Sequence, residues 1–188
     1  MKKKIILIHG YTSSPNRKKY KIIASELQEL GVDYAIPKLP GRLYPQSSEW
    51  LKIIDNEVKL TNKPVVLVGH SLGTRVVLLY LDKFDQKVDT VILFSAFNND
   101  ITNREDAGGN FVDFFEYKLD IEKIKKLAKK FIVVHSKDDD SIPYAQGVEM
   151  SKDLGAKLIT YENKGHFSGE KNAADNAKIF VDTIKSIL

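Results

Sequence analysis

Two hydrophobic rhythms alternate along the chain. Short runs dense in β-branched residues read as strands: KIILIH (4–9), VDYAIPK (32–38), PVVLVGH (64–70), VDTVILFS (88–95), FIVVHS (131–136) and KLITYE (157–162). Between them lie stretches with helical period. In 17–30, Tyr20, Ile23, Ala24, Leu27 and Leu30 share one face, and Gly31 offers a C-terminal stop. In 48–60, Trp50, Ile53, Ile54 and Val58 do the same, with Ser47 or Ser48 as the expected N-cap. Residues 72–83, 121–130, 144–154 and 172–188 also read as helices. The alternation predicts βα units around a mainly parallel sheet of about six strands, with helices on both faces. VVLV carries no polar alternation, so it is expected at the centre of the sheet, buried on both sides. One stretch breaks the rhythm: 97–120 is polar and glycine-containing, then abruptly aromatic. Loops of this length are more often functional than idle, and this one is too short to fold into a large cap.

Composition narrows the picture. The 188 residues, 43% hydrophobic and 29% charged, suit one soluble domain spanning 1–188. There is no cysteine, which removes disulfides and thiolate chemistry together and points to the reducing cytoplasm. No apolar run reaches the ~20 residues of a membrane span. The basic start leads into an apolar run far shorter than the roughly 7–15 residues of a signal peptide, so no membrane association is expected. The net charge is +4, with lysines densest in RKKYK (17–21) and KIKKLAKK (123–130). These read as solvated helix faces, and no aromatic platform beside them suggests nucleic acid.

The chemistry centres on Gly69-His70-Ser71-Leu72-Gly73, which fits G-x-S-x-G between an apolar strand and an apolar helix. In that context a serine stands on a sharp strand-to-helix turn. Glycines two residues away on each side remove backbone collisions, and the helix start aims free N–H groups at developing negative charge. Ser71 is the candidate nucleophile, and it needs a base. Of the four histidines, His9 lies in the first βα turn, His70 adjoins the serine and should point away from it, and His135 sits inside a strand. His166, in the loop NKGHFSGE after the last strand, opens at the same sheet edge as Ser71 and is the expected base. The orienting carboxylate is expected in HSKDDDSIP (135–143), from Asp138, Asp139 or Asp140; a solvated turn and a divalent-metal cluster are the competing readings of that run. An oxyanion hole would use the N–H of Leu72 and that of Tyr11, in the loop that begins His9-Gly10.

These residues together resemble the α/β-hydrolase superfamily, and within it the YdeN-like and retinoblastoma-binding-protein-9-type small serine hydrolases. The resemblance runs nearly end to end through HGYTSSP (9–15), EWL (49–51), VGHSLGT (68–74), LFSAF (93–97), FFEYKLDIEKIK (114–125), HSKDDDSIP and KGHF (164–167). It implies a single-domain α/β-hydrolase fold without a large cap. It also implies that Pro143 selects Asp139 as the acid, giving Ser71, Asp139 and His166 as the triad. Phe111, Phe114, Phe115 and Tyr117 stand where that family tends to carry tryptophans. Packing of the loop onto the core is the preferred reading of these rings, with the first three as candidates for the substrate pocket. The expected function is hydrolysis of a small carboxylic ester or related acyl substrate through an acyl-enzyme, with no metal or organic cofactor. A binding protein on a hydrolase scaffold, and a thioesterase or acyltransferase using the same triad, are the alternatives. Oligomeric state is open.

Overall fold

The structure, a computed structural model, describes residues 2–98 and 111–188. Its elements are β1 (Lys4–Ile8), α1 (Lys18–Glu29), β2 (Asp33–Ala35), α2 (Ser47–Lys59), β3 (Val65–His70), α3 (Leu72–Phe84), β4 (Val88–Phe94), α4 (Ile121–Ile124), β5 (Ala128–Ser136), α5 (Tyr144–Leu154), β6 (Lys157–Tyr161) and α6 (Ala173–Lys185). A 3-10 turn, Val112–Phe114, precedes α4. The six strands form one parallel sheet in the order β2-β1-β3-β4-β5-β6.

The period of two along the inner strands explains why helices cover both faces. Ile5, Leu7, Val66, Val68, Ile92, Phe94, Ile132 and Val134 face α1 and α6. Their neighbours Ile6, Ile8, Leu67, Val91, Leu93 and Val133 face the layer of α2, α3 and α5. VVLV is fully sequestered, as its unbroken apolar run predicts. After β2 the chain passes back over β1 to β3, so the strand order reverses between β1 and β3. Open parallel sheets place their binding crevice at the carboxyl edge of such a reversal. Ile8 lies opposite Gly69 in the register, so the residues that follow the two strands emerge side by side.

Three expectations need correction. The helix expected over 121–130 is a single turn, and β5 begins at Ala128. The lysine-rich run looks amphipathic, but β4 needs a partner there: Val88 and Thr90 pair with Ala128 and Lys130, and Lys129 reaches Asp89 at 3.1 Å. The strand expected over 32–38 is ordered as β2 only for Asp33–Ala35, which pairs with Lys4–Ile6 of β1; two residues further on, Pro37 has no N–H to donate. The N-cap of α2 is Gln46, not Ser47 or Ser48. The carboxylate of Asp113 takes the Ser47 N–H at 2.6 Å instead.

That bond is one of several that tie down the aromatic stretch, of which residues 99–110 lie outside the described residues. Arg75, only 2% exposed, donates to the Phe114 carbonyl (2.9 Å), the Tyr117 carbonyl (2.6 Å) and the Asn98 side chain (2.8 Å). Its guanidinium also stacks over the Phe115 ring at 5.0 Å. Burial pulls its pKa down to about 10, which leaves it charged at neutral pH. Hydrogen bonds from a charged donor contribute about 1.5–3 kcal/mol each, and buried acceptors left unpaired add a desolvation penalty. Arg75→Met is therefore expected to destabilise the protein by about 2–4 kcal/mol in urea unfolding. An unchanged midpoint would contradict this role.

Candidate active site

Ser71 joins β3 to α3 with φ 56° and ψ −126°, a backbone conformation that side-chain-bearing residues rarely adopt. Strain of this kind is of order 1–3 kcal/mol and persists only where the surroundings enforce it. Here the enforcement is steric. A Cβ on Gly73 would collide with the Ile8 carbonyl, and one on Gly69 would lie 2.7 Å from both the Gly73 carbonyl and the Thr74 Cα. A Cβ on Gly10 would come within 2.9 Å of the Ser71 Cβ. Glycine at all three places lets β1, the turn and α3 converge on the serine. The Ser71 N–H bonds the Phe94 carbonyl (2.9 Å), and the Thr74 N–H bonds the Ser71 carbonyl (2.8 Å).

Across the crevice, the His166 Nδ1 lies 3.0 Å from both carboxylate oxygens of Asp139. The Asp139 side chain is fully buried and the imidazole is 13% exposed. Asp139 Oδ1 also accepts the N–H groups of Ile142 (2.8 Å) and Ser141 (3.0 Å), and Oδ2 accepts the Ser95 hydroxyl (2.6 Å). Burial alone would raise this carboxyl's pKa. The His166 hydrogen bond and charge, with the Ile142 N–H and Ser95, outweigh it and hold the group down at about 2. The Nδ1 therefore carries a proton toward the carboxylate and the Nε2 is left as the acceptor. Ser95, itself at φ 52°, and His135, whose Nε2 lies 3.5 Å from Asp139 Oδ2, lie inside LFSAF and HSKDDDSIP, but nothing in those runs marks either as a neighbour of the carboxylate.

The three adjacent aspartates do different things. Asp138 Oδ1 accepts the N–H groups of Lys164 (3.1 Å) and Gly165 (3.0 Å), so it anchors the His166 loop. Asp139 meets the imidazole, and Asp140 bonds the Ser141 hydroxyl at 3.1 Å. Among the described residues, no group of three His, Cys, Asp or Glu is arranged to hold a metal ion.

Ser71 and His166 line one cleft of about 370 Å³, together with Gly10, Tyr11, Ser13, Ser168 and Glu170. Lys19 and His70 complete its inner side. Leu72 opens α3 beside it, and the first N–H groups of a helix have no acceptor within the helix. Among the described residues, the aromatic candidates Phe111, Phe114 and Phe115 do not line this cleft. Phe114 is fully buried edge-on against Trp50 (5.3 Å), Phe111 packs against Tyr11 (4.9 Å) and Phe115 stacks on Phe97 (5.6 Å). The Arg75 bonds draw that stretch onto the core, so its rings support the wall behind Tyr11.

Residues 5–175 match the serine hydrolase family model. The chain belongs to the serine hydrolase family. It is 27% identical over 169 residues to the YdeN protein of Bacillus subtilis (strain 168), covering 89% of this chain and 87% of that one. It is also 27% identical over 129 residues to the serine hydrolase RBBP9 of Rattus norvegicus, covering 69% and 66%. The crystal structure of the ydeN gene product from B. subtilis superposes with a TM-score of 0.86 at 26% identity, over 98% of this chain and 97% of that one. Est1E from Butyrivibrio proteoclasticus, at 18% identity, shares the fold with a TM-score of 0.70, over 98% and 89%. The protein is thus a small α/β-hydrolase of the YdeN-like type.

The depressed Asp139 pKa carries a stability consequence. Its folded value of about 2 lies below the ordinary 3.8, so the group stabilises the fold above about pH 4 and loses that contribution as pH falls through 2. The amount is about 2 kcal/mol. Acid unfolding of wild type beside Asp139→Asn should show a pH dependence between 4 and 2 that is weaker in the variant. Parallel curves would contradict the ionised, buried carboxylate.

Proposed function

We propose that this serine hydrolase cleaves small carboxylic esters, as a carboxylesterase, through Ser71, His166 and Asp139. The observation that carries the reading is the Asp139–His166 contact, 3.0 Å at both oxygens, in the same cleft as a serine held at positive φ. In this reading His166 Nε2 takes the Ser71 proton as the hydroxyl attacks the ester carbonyl. Asp139 keeps the imidazole in the tautomer that can accept it and stabilises the imidazolium. The N–H groups of Tyr11 and Leu72 bind the tetrahedral oxyanion, each contributing on the order of 10²–10³ in rate. The imidazolium protonates the departing alkoxide, and water then hydrolyses the acyl-enzyme with His166 again as base. No cofactor takes part.

The cleft wall is rich in hydroxyls and charged groups, which suits a short acyl chain or a soluble ester. No helix among the described residues is long and apolar enough to cross a membrane, and the absence of cysteine accords with a cytoplasmic setting. Thioester cleavage or acyl transfer would use the same residues.

Fluorophosphonate labelling and hydrolysis of a short p-nitrophenyl ester test the reading together. Wild type should label and turn over. Ser71→Ala and His166→Ala should lose both, and Asp139→Asn should lose about 10³–10⁴ in kcat. EDTA should leave the rate unchanged. A folded wild type that resists the label would sink the proposal and favour a binding role on the hydrolase scaffold.

A further inference from the structure

His166 sits between two residues in left-handed backbone conformation, Gly165 at φ 52° and Phe167 at φ 49°. A loop bent this way twice around one side chain needs external support, because the non-glycine member of the pair is strained. Two side chains from other elements supply it at consecutive peptide groups. His70 Nε2–H donates to the His166 carbonyl at 2.8 Å, and Lys19 Nζ donates to the Phe167 carbonyl at 2.7 Å. The His70 tautomer is set from its other side, where the Tyr20 hydroxyl donates to Nδ1 at 3.3 Å. Burial holds His70 well below the usual histidine range, so it remains neutral while it donates.

We propose that Lys19 and His70 are positioning residues for His166, fixing the backbone from which the imidazole reaches Ser71. The inference rests on the triad reading above.

Lys19 is the more telling of the two. It is 7% exposed, and its ammonium lies over the rings of Tyr20 (4.8 Å) and Phe180 (4.5 Å). Among the described residues no carboxylate forms an ion pair with it, and burial pulls its pKa down to about 7 from 10.5. Burying a cation without a charged partner is unfavourable. The unfolded chain holds the proton more tightly, so the penalty is full below pH 7 and fades as pH rises toward 10.5. A side chain kept only for packing would be better as methionine. The groups facing it are Tyr20 on α1, His9 after β1, His70 at the end of β3, Phe180 on α6, and His166 and Glu170 on the loop, where Glu170 pairs with Arg17 at 3.4 Å. His9, like His70, has its pKa lowered by burial, so both are already neutral and neither changes charge as pH rises through 7. In that range the Lys19 ammonium gives up a proton and becomes a weaker donor to Phe167.

The test compares the 188-residue chain with Lys19→Met and Lys19→Gln, using a short p-nitrophenyl ester and thermal unfolding. Lys19→Met should have a Tm at neutral pH equal to or above wild type. Its kcat should fall about 10–100-fold with KM nearly unchanged, as expected when a reacting group is displaced by a fraction of an ångström. Wild-type kcat should decline on the alkaline side of pH 7 in a step that Lys19→Met lacks. Lys19→Gln, which keeps an N–H donor, should recover part of the rate. His70→Phe should lower kcat in the same manner. Full activity in Lys19→Met would overturn the proposal. So would a parallel loss of Tm and kcat that Lys19→Gln does not relieve, which would mark a purely structural lysine. Failure of the triad itself has a separate signature, wild-type turnover that survives Ser71→Ala, and it removes this proposal along with its basis.

Discussion

The close approach of α3 to the end of β1 governs this molecule. A single Cβ at Gly73 would strike the Ile8 carbonyl, and one at Gly69 would strike the first turn of α3. Because both are absent, the helix starts hard against the sheet and the connecting residue is forced to positive φ. That residue is Ser71. The parallel sheet supplies the rest of the constraint: β3 is paired on both sides, so the turn cannot relax sideways. The strain is local, and it is balanced by the burial of nearly every residue of α3.

The opposite wall of the cleft is built by hydrogen bonds instead of by close packing. The loop after β6 has no regular structure of its own, and its backbone is held from three directions. Asp138 takes two of its N–H groups, while His70 and Lys19 hold two of its carbonyls. Asp139 then meets the imidazole from a turn that its own carboxylate closes by accepting the Ser141 and Ile142 N–H groups. A rigid serine therefore faces a histidine whose placement depends on several polar contacts. The histidine side is the one that small changes in charge can disturb.

Much of this was legible in the sequence, for identifiable reasons. The unbroken apolar run VVLV in β3 reads directly as a strand buried on both faces, and G-x-S-x-G between strand and helix reads as the elbow. The order of strands and loops brings Ser71, His166 and the aspartate run to one edge. Three things were not legible. The lysine-rich run at 123–130 carries a helical pattern, yet pairing with β4 claims its second half, and only tertiary context reveals that. For Phe111, Phe114 and Phe115 the sequence left a pocket role and packing onto the core side by side, because nothing in it announces that Arg75, a helix residue 39 positions from Phe114, bonds the Phe114 and Tyr117 carbonyls. Lys19 lies in a basic cluster that reads as solvent-facing, and its burial is visible only once α1 and α6 are packed together.

The most direct test of the account is to trap the reaction part-way. Enzyme quenched with acid during turnover of a short p-nitrophenyl ester can be digested and its peptides weighed. The account predicts one acyl group per chain, on the peptide that contains Ser71. An acyl group on another residue, or turnover that continues undiminished with alanine at position 71, would contradict it.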